Sequence, residues 1–179
     1  MELLLKLVHP TVHSTEGRAL RRDAVRAVIM HGDDILLLYT RRYDDYSLPG
    51  GGLDEGEDMI AGLQRELAEE TGAQDVQVLD AIGYIDEYRP SPKPGYDHLF
   101  MRSYIYRCAA SRELGEAQME HYEISNGMAP EWVPLDRAAA HNEAVIARQD
   151  AGMGMSIVRE TWTLNYLRGL REQSAHAAS

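Results

Sequence analysis

Leu48-Pro49-Gly50-Gly51-Gly52-Leu53-Asp54-Glu55-Gly56-Glu57-Asp58-Met59-Ile60-Ala61-Gly62-Leu63-Gln64-Arg65-Glu66-Leu67-Ala68-Glu69-Glu70-Thr71-Gly72-Ala73 joins a glycine loop to an acidic helical segment. Pro49 and three successive glycines mark a loop. From Asp58 to Thr71 the pattern turns helical, because Ile60, Leu63 and Leu67 fall at i, i+3, i+7 and form one apolar stripe. Gly72 stands where a C-cap glycine ends a helix. At about 100° per residue, Glu69 lies about 60° to one side of Glu66 and Glu70 about 40° to the other, so the three carboxylates share one sector beside the stripe. Such a helix packs one edge on a sheet and presents three acids on the next. Like charges at this spacing repel by a few tenths of a kcal/mol per pair, which calls for an offset. Hard divalent cations take oxygen ligands and would supply it, and Arg65 can pair with one of the acids. On periodicity alone, a solvated acidic face is the simpler account.

Working outward, the 179 residues are one domain's worth of chain, with 29 acids against 18 bases and a net charge of −11. Seven acids and one base fall between Asp54 and Glu70, so 17 residues carry −6 and the other 162 share −5. An acidic balance argues against partners held mainly by Lys and Arg, and we expect neither nucleic acid nor an anionic membrane as partner. The start of the chain, Met1 to Pro10, is too short and charged for a signal peptide, and no stretch approaches bilayer-spanning length. The reading is cytoplasmic. The lone Cys108 falls in a strand and reads as a small buried hydrophobe.

Residues 24–31 and 35–40, split by Gly32-Asp33-Asp34, read as a β-hairpin. Residues 76–88 and 98–109 read as two further strands, and 131–133 as a short one. Helices follow at 135–149 and 155–171, the second with Val158, Trp162, Tyr166 and Leu170 at four-residue spacing. Trp132 and Trp162 read as core anchors, and the seven histidines show no paired metal spacing. Strands, helix, strands, helices suit an α/β sandwich better than a doubly wound parallel sheet.

The quoted stretch resembles the Nudix box, which runs Gly, five residues, Glu, seven residues, then Arg-Glu-aliphatic-any-Glu-Glu-any-Gly-aliphatic. Gly51, Glu57, Arg65, Glu66, Leu67, Glu69, Glu70 and Gly72 match in type and spacing, and Ala73 replaces a larger aliphatic at a packing position. The resemblance implies an α/β/α sandwich with a mixed β-sheet, a core at about 22–134 and additional C-terminal helices at about 135–173, in a single domain spanning 1–179. It implies a pyrophosphohydrolase dependent on Mg2+ or Mn2+ that cleaves the diphosphate linkage of a small nucleotide, such as ADP-ribose or a nucleoside triphosphate. By the same resemblance Glu66, Glu69 and Glu70, with Gly51 and Glu57, hold metal, and Arg65 orients the acids. Glu66 is the first choice of general base, with Glu113, Glu116, Glu120 and Glu123 as loop acids that are individually better read as solvated. The glycines Gly50 to Gly52 let backbone approach metal and phosphate. Arg41, Arg42, Tyr43 and Tyr46 precede the box and are natural substrate contacts, or equally plain surface. A homodimer follows from family analogy alone. The alternative is a non-catalytic nucleotide or sugar-phosphate binding module, but degenerate members lose box acids and this box keeps them all.

Overall fold

A computed structural model describes residues 1–177; the last two residues of the expected domain, 178 and 179, lie outside the described residues. Seven strands form one mixed sheet: β1 (Leu3–Val8), β2 (Ala19–His31), β3 (Asp34–Thr40), β4 (Asp45–Ser47), β5 (Gln77–Arg89), β6 (His98–Ala109) and β7 (Met128–Pro134). The helices are α1 (Met59–Thr71), α2 (His121–Ser125), α3 (Leu135–Arg148) and α4 (Ile157–Ala177). The spatial order is β1-β5-β6-β2-β3-β4, with β7 on β3. Among the described residues no helix is long and apolar enough to cross a membrane.

The hairpin expected at 24–40 is corrected in one respect. β2 and β3 pair only at Met30 with Ile35 and His31 with Asp34, and then diverge. Over the rest of its length β2 runs parallel to β6, from Ala19 with His98 to Ile29 with Cys108. β3 instead takes β7 as an antiparallel partner from Asp34 to Thr40. The gap is filled by the glycine loop. Val25 and Ala27 donate their N–H groups to the carbonyls of Gly51 and Pro49, and Leu53 donates to Asp23, so the loop lies along β2 as a strand would.

Strand alternation puts two cores on opposite faces. Val25, Ala27, Ile29 and Leu36 pack with Leu63 and Leu67 of α1, which are fully buried and contribute about 1.5–3 kcal/mol each. Val28, Ile35, Leu37, Ile85 and Ile105 pack on the other face with Leu135, Ala138 and Ala139 of α3 and Leu164 and Leu167 of α4. The result is the α/β/α sandwich expected, with α3 and α4 forming its second helical layer. Cys108 is buried as expected.

Other differences have plain physical causes. α4 buries Ile157, Thr161, Leu164 and Leu167, not the Val158–Leu170 stripe, of which Val158 is 47% and Leu170 37% exposed. Trp132 and Trp162 are rim residues, only partly buried against their clusters: Trp132 donates its ring N–H to the Arg112 carbonyl, and Trp162 stacks on Tyr166. Three elements went unforeseen. β1 joins the sheet parallel to β5, β4 adds three residues antiparallel to β3, and α2 is only five residues long.

Candidate active site

The site lies where β2 and β3 part. The Asp58 carboxylate caps α1 by accepting from the N–H groups of Ile60 and Ala61, and Gly72 closes it in the left-handed region at φ 65°. With its apolar stripe fixed to the sheet, α1 delivers Glu66, Glu69 and Glu70 to one wall of a cleft of about 830 Å³. The Gly50–Gly52 loop forms the adjoining wall. Gly50 sits at φ 128°, where a side chain would run into the Val25 carbonyl, and a Cβ on Gly51 would collide with the Glu66 carboxylate. Bare backbone is therefore required at both positions.

Arg65 is the organising cation of this wall. It donates from Nε and Nη2 to the two oxygens of Glu57, at 2.9 and 3.0 Å, and from Nη1 to Glu66 at 2.9 Å and Glu69 at 3.2 Å. This fork holds Glu57 well below the usual carboxylate range, at about 2. Burial pushes Glu66 up. Glu70, only 5% exposed, accepts from the Gly50 N–H at 2.6 Å. Burial outweighs that bond and raises Glu70 to about 8.

Among the described residues, no three His, Cys, Asp or Glu side chains converge as a ready-made metal site. The reason is visible in the pairing: the Arg65 guanidinium draws Glu66 and Glu69, while Glu70 turns to the loop. The donors nonetheless fit a hard divalent cation. All are carboxylate or carbonyl oxygens, and the buried Glu70 forms no ion pair among the described residues, the nearby charge of Arg26 being outweighed by burial.

The expected substrate contacts divide. Gly50 and Gly51 line the cleft; Arg41, Arg42 and Tyr46 do not. Tyr46 is in the core, its hydroxyl on Glu131, whereas the Arg42 guanidinium is bonded to Asn126 and the Arg41 side chain lies against Gly127. Tyr43, weighed beside them, does line it. Of the loop acids, Glu120 and Glu123 line the cleft and Glu113 and Glu116 do not. Glu123 is buried, accepting from the Glu120 N–H and the Tyr122 hydroxyl.

Sequence reasoning missed the basic floor. Arg22 and Arg26 of β2 and Arg89 of β5 line the cleft. Among the described residues Arg22 has no hydrogen-bond or ion-pair partner, and it lies against Gly52, 2.7 Å from where a Cβ would be. Arg26 reaches the Gly50 carbonyl. Its signal was available, as a lone base breaking the apolar run 24–31. The first turn of α4 adds a buried ion network: Arg159 bonds Glu87 at 2.6 Å and its neighbour Glu160 at 2.5 Å, Arg89 bonds Glu87, and Glu160 accepts from the Leu48 N–H at 2.9 Å. The C-terminal helix is thereby tied to the loop before Gly50.

Comparison with known proteins agrees with this geometry. An RNA pyrophosphohydrolase of Caulobacter vibrioides (strain NA1000 / CB15N) is 40% identical over 62 residues, 32% of this chain and 36% of that protein. The chain thus matches about a third of the length of the curated relatives. A NUDIX hydrolase from Nitrosomonas europaea superposes with a TM-score of 0.56 at 18% identity, covering 82% of this chain and 89% of that one. The E. coli ORF135 protein gives 0.55 at 16% identity, covering 86% and 94%. At such identities the likeness is one of fold. The family model described as NUDIX domain matches residues 20–151, reaching far beyond the 51–73 motif into β2, β5, β6, β7 and α3, and on that match the chain belongs to the Nudix family.

Proposed function

We propose that this protein is a pyrophosphohydrolase dependent on Mg2+ or Mn2+ that cleaves the diphosphate linkage of a small nucleotide. The observation that carries the reading is the meeting of Glu66, Glu69 and Glu70 with the Gly50–Gly52 backbone on one cleft, faced by the unpaired Arg22 guanidinium. A bound divalent ion would supply neutralisation of phosphate oxygens and acidification of the attacking water. Glu66, Glu69 and Glu70 would hold it, with the Gly51 backbone alongside and Glu57 fixing Arg65. Arg65 would then release the acids it now pairs while keeping their rotamers in one sector. Arg22 would take a phosphate oxygen, and the side-chain-free loop would let the diphosphate approach. Glu66 is our choice to accept the water's proton, since burial raises its affinity for one. Glu123, buried on the same cleft, is the acid to test beside it.

We further infer a single domain acting in the cytoplasm, with a homodimer as its assembly. The Caulobacter relatives carry the name RNA pyrophosphohydrolase. A 5′-triphosphorylated RNA presents the same anhydride chemistry, yet the net charge of −11 disfavours a long polyanion. The test is a panel of nucleoside triphosphates, dinucleoside polyphosphates, ADP-ribose, nucleotide sugars and 5′-triphosphorylated RNA, with Mg2+ and with Mn2+, scoring rate and the bond cut. Hydrolysis of small nucleotides ahead of RNA supports the reading. Tight binding without turnover of any of them would make the protein a sensor, and preference for the RNA would overturn the substrate class.

A further inference from the structure

Asp45 begins β4, paired with Thr40 at the end of β3, and it is 6% exposed. Among the described residues its carboxylate has neither a hydrogen bond nor an ion pair. The groups that would serve are taken: Arg148, His141 and the Tyr39 hydroxyl all bond the preceding Asp44. The charges nearest Asp45 include those of Glu160 and Asp44, which repel it, against His141. What remains open to it is the cleft, which it lines together with Tyr43, Leu38, Leu48, Met128, Met153 and Met155. Gly154 narrows the space there, because a Cβ on it would stand 2.9 Å from the Asp45 Oδ2 and 3.3 Å from the Tyr43 ring. An unpaired buried carboxylate is costly, and it persists where a ligand supplies its partner.

We propose that Asp45 is the base-reading residue of this cleft, its carboxylate accepting the paired N–H donors of a guanine-type nucleobase held against Tyr43 and the surrounding methionines. This rests on the nucleotide reading above and names the substrate class within it. An ionised carboxylate only accepts, and with two oxygens it is matched by two adjacent donors. Guanine offers that pair in N1–H and its 2-amino group. Adenine and cytosine set an acceptor beside their amino group, and uracil flanks one N–H with two carbonyls, so each would turn a lone pair on Asp45. A hard cation is a poorer occupant, since the nearby Glu160 is already held by Arg159 and the Leu48 N–H, and one free carboxylate does not make an oxygen cage. Flat apolar walls suit the faces of a base, for which tyrosine and the polarizable methionine sulfur are good partners. Burial raises Asp45 to about 6, so at neutral pH it remains chiefly the ionised acceptor this recognition needs.

The test compares GDP, IDP, ADP and CDP, bound to the full chain with Mg2+ and followed by calorimetry, together with turnover of the corresponding triphosphates. Inosine lacks only the 2-amino donor. Wild type is expected to bind GDP roughly ten- to a hundredfold more tightly than IDP, as for a lost bond to a charged group. In Asp45→Asn that ratio should collapse towards one, with ADP and CDP affinities unchanged or improved. Equal binding of GDP and IDP by wild type overturns the proposal without any variant, and so does a GDP preference that survives in Asp45→Asn. If no triphosphate is turned over, the hydrolase reading fails, while the GDP to IDP ratio still decides the role of Asp45.

Discussion

Replacing Asp45 with asparagine should stabilise the free protein at neutral pH, and the size of the gain follows from the structure. Burial, with Glu160 and Asp44 close by, holds the Asp45 carboxyl at about 6 against an ordinary value of 3.8. A folded-state value above the unfolded one means that folding favours the protonated acid. The penalty is absent below about pH 3.8, grows as the pH rises, and is complete above about 6. Its full size is about 3 kcal/mol, at 1.36 kcal/mol per tenfold change in proton affinity. An asparagine of the same shape carries no charge to bury, so Asp45→Asn should recover about 2–3 kcal/mol at pH 7 and almost nothing at pH 4. For a chain of this length that is about 5–10 °C in melting temperature. Circular dichroism melts of both proteins at pH 7 and pH 4, without nucleotide, read the difference directly, and other titrating groups cancel between them. If the variant is no more stable at pH 7, or gains as much at pH 4, then Asp45 is not an unpaired buried charge and the argument for its role in recognition loses its footing.

Glu69→Gln should lower turnover by orders of magnitude while melting within a few degrees of wild type, and Glu70→Gln should lower it as much while melting higher than wild type at neutral pH without metal, because its buried charge is gone; normal steady-state rates in both would remove the proposed metal site. In wild type, Mg2+ at a hundred times its dissociation constant should stabilise by about 2.7 kcal/mol in a thermal melt, and Glu70→Gln should lose most of that shift. Arg159→Ala strands Glu160 in the interior and leaves Glu87 with Arg89 alone, and should cost about 3–5 kcal/mol in urea unfolding, a loss that a merely exposed pair would not produce. Gly50→Ala forces a side chain into φ 128° against the Val25 carbonyl, at about 1–3 kcal/mol, and should depress activity through the loop more than stability through the core; unaltered turnover would show that the loop backbone is not needed in place.

What was legible in the sequence is what local physics encodes. The box helix announces itself by Ile60, Leu63 and Leu67 and by Gly72, and the structure places all of them as the spacing requires, with Asp58 as the cap before the first turn. β1 escaped because Leu3-Leu4-Leu5-Lys6-Leu7-Val8 has no clean alternation, its place being set by parallel pairing with β5 some 80 residues on. α2 is too short for a period to show. Arg41, Arg42 and Tyr46 were chosen for nearness in sequence, yet pleating sends Tyr46 into the core and the turn carries the two arginines towards Asn126 and Gly127. Of the basic floor only Arg26 left a trace, as a base inside an apolar run; its meeting with Arg22 and Arg89, and the Glu160 contact with Leu48, arise from strand register and from a helix more than a hundred residues away, distances over which a linear pattern carries no signal.

The loop that stands in for a strand beside β2 has a consequence for how the protein works. Glycine-rich segments are usually read as supple, but here the N–H groups of Val25 and Ala27 are bonded to loop carbonyls, the Gly50 N–H is bonded to Glu70, and Leu48 is anchored to α4. Peeling this segment away would expose ladder bonds and a buried carboxylate together. The segment is therefore preorganised: the backbone that the proposed function sets against a diphosphate is already in place before anything binds, and little reorganisation would be left to oppose that reaction. Hydrogen exchange should find the amides of Val25 and Ala27 as slow as those of the central strands.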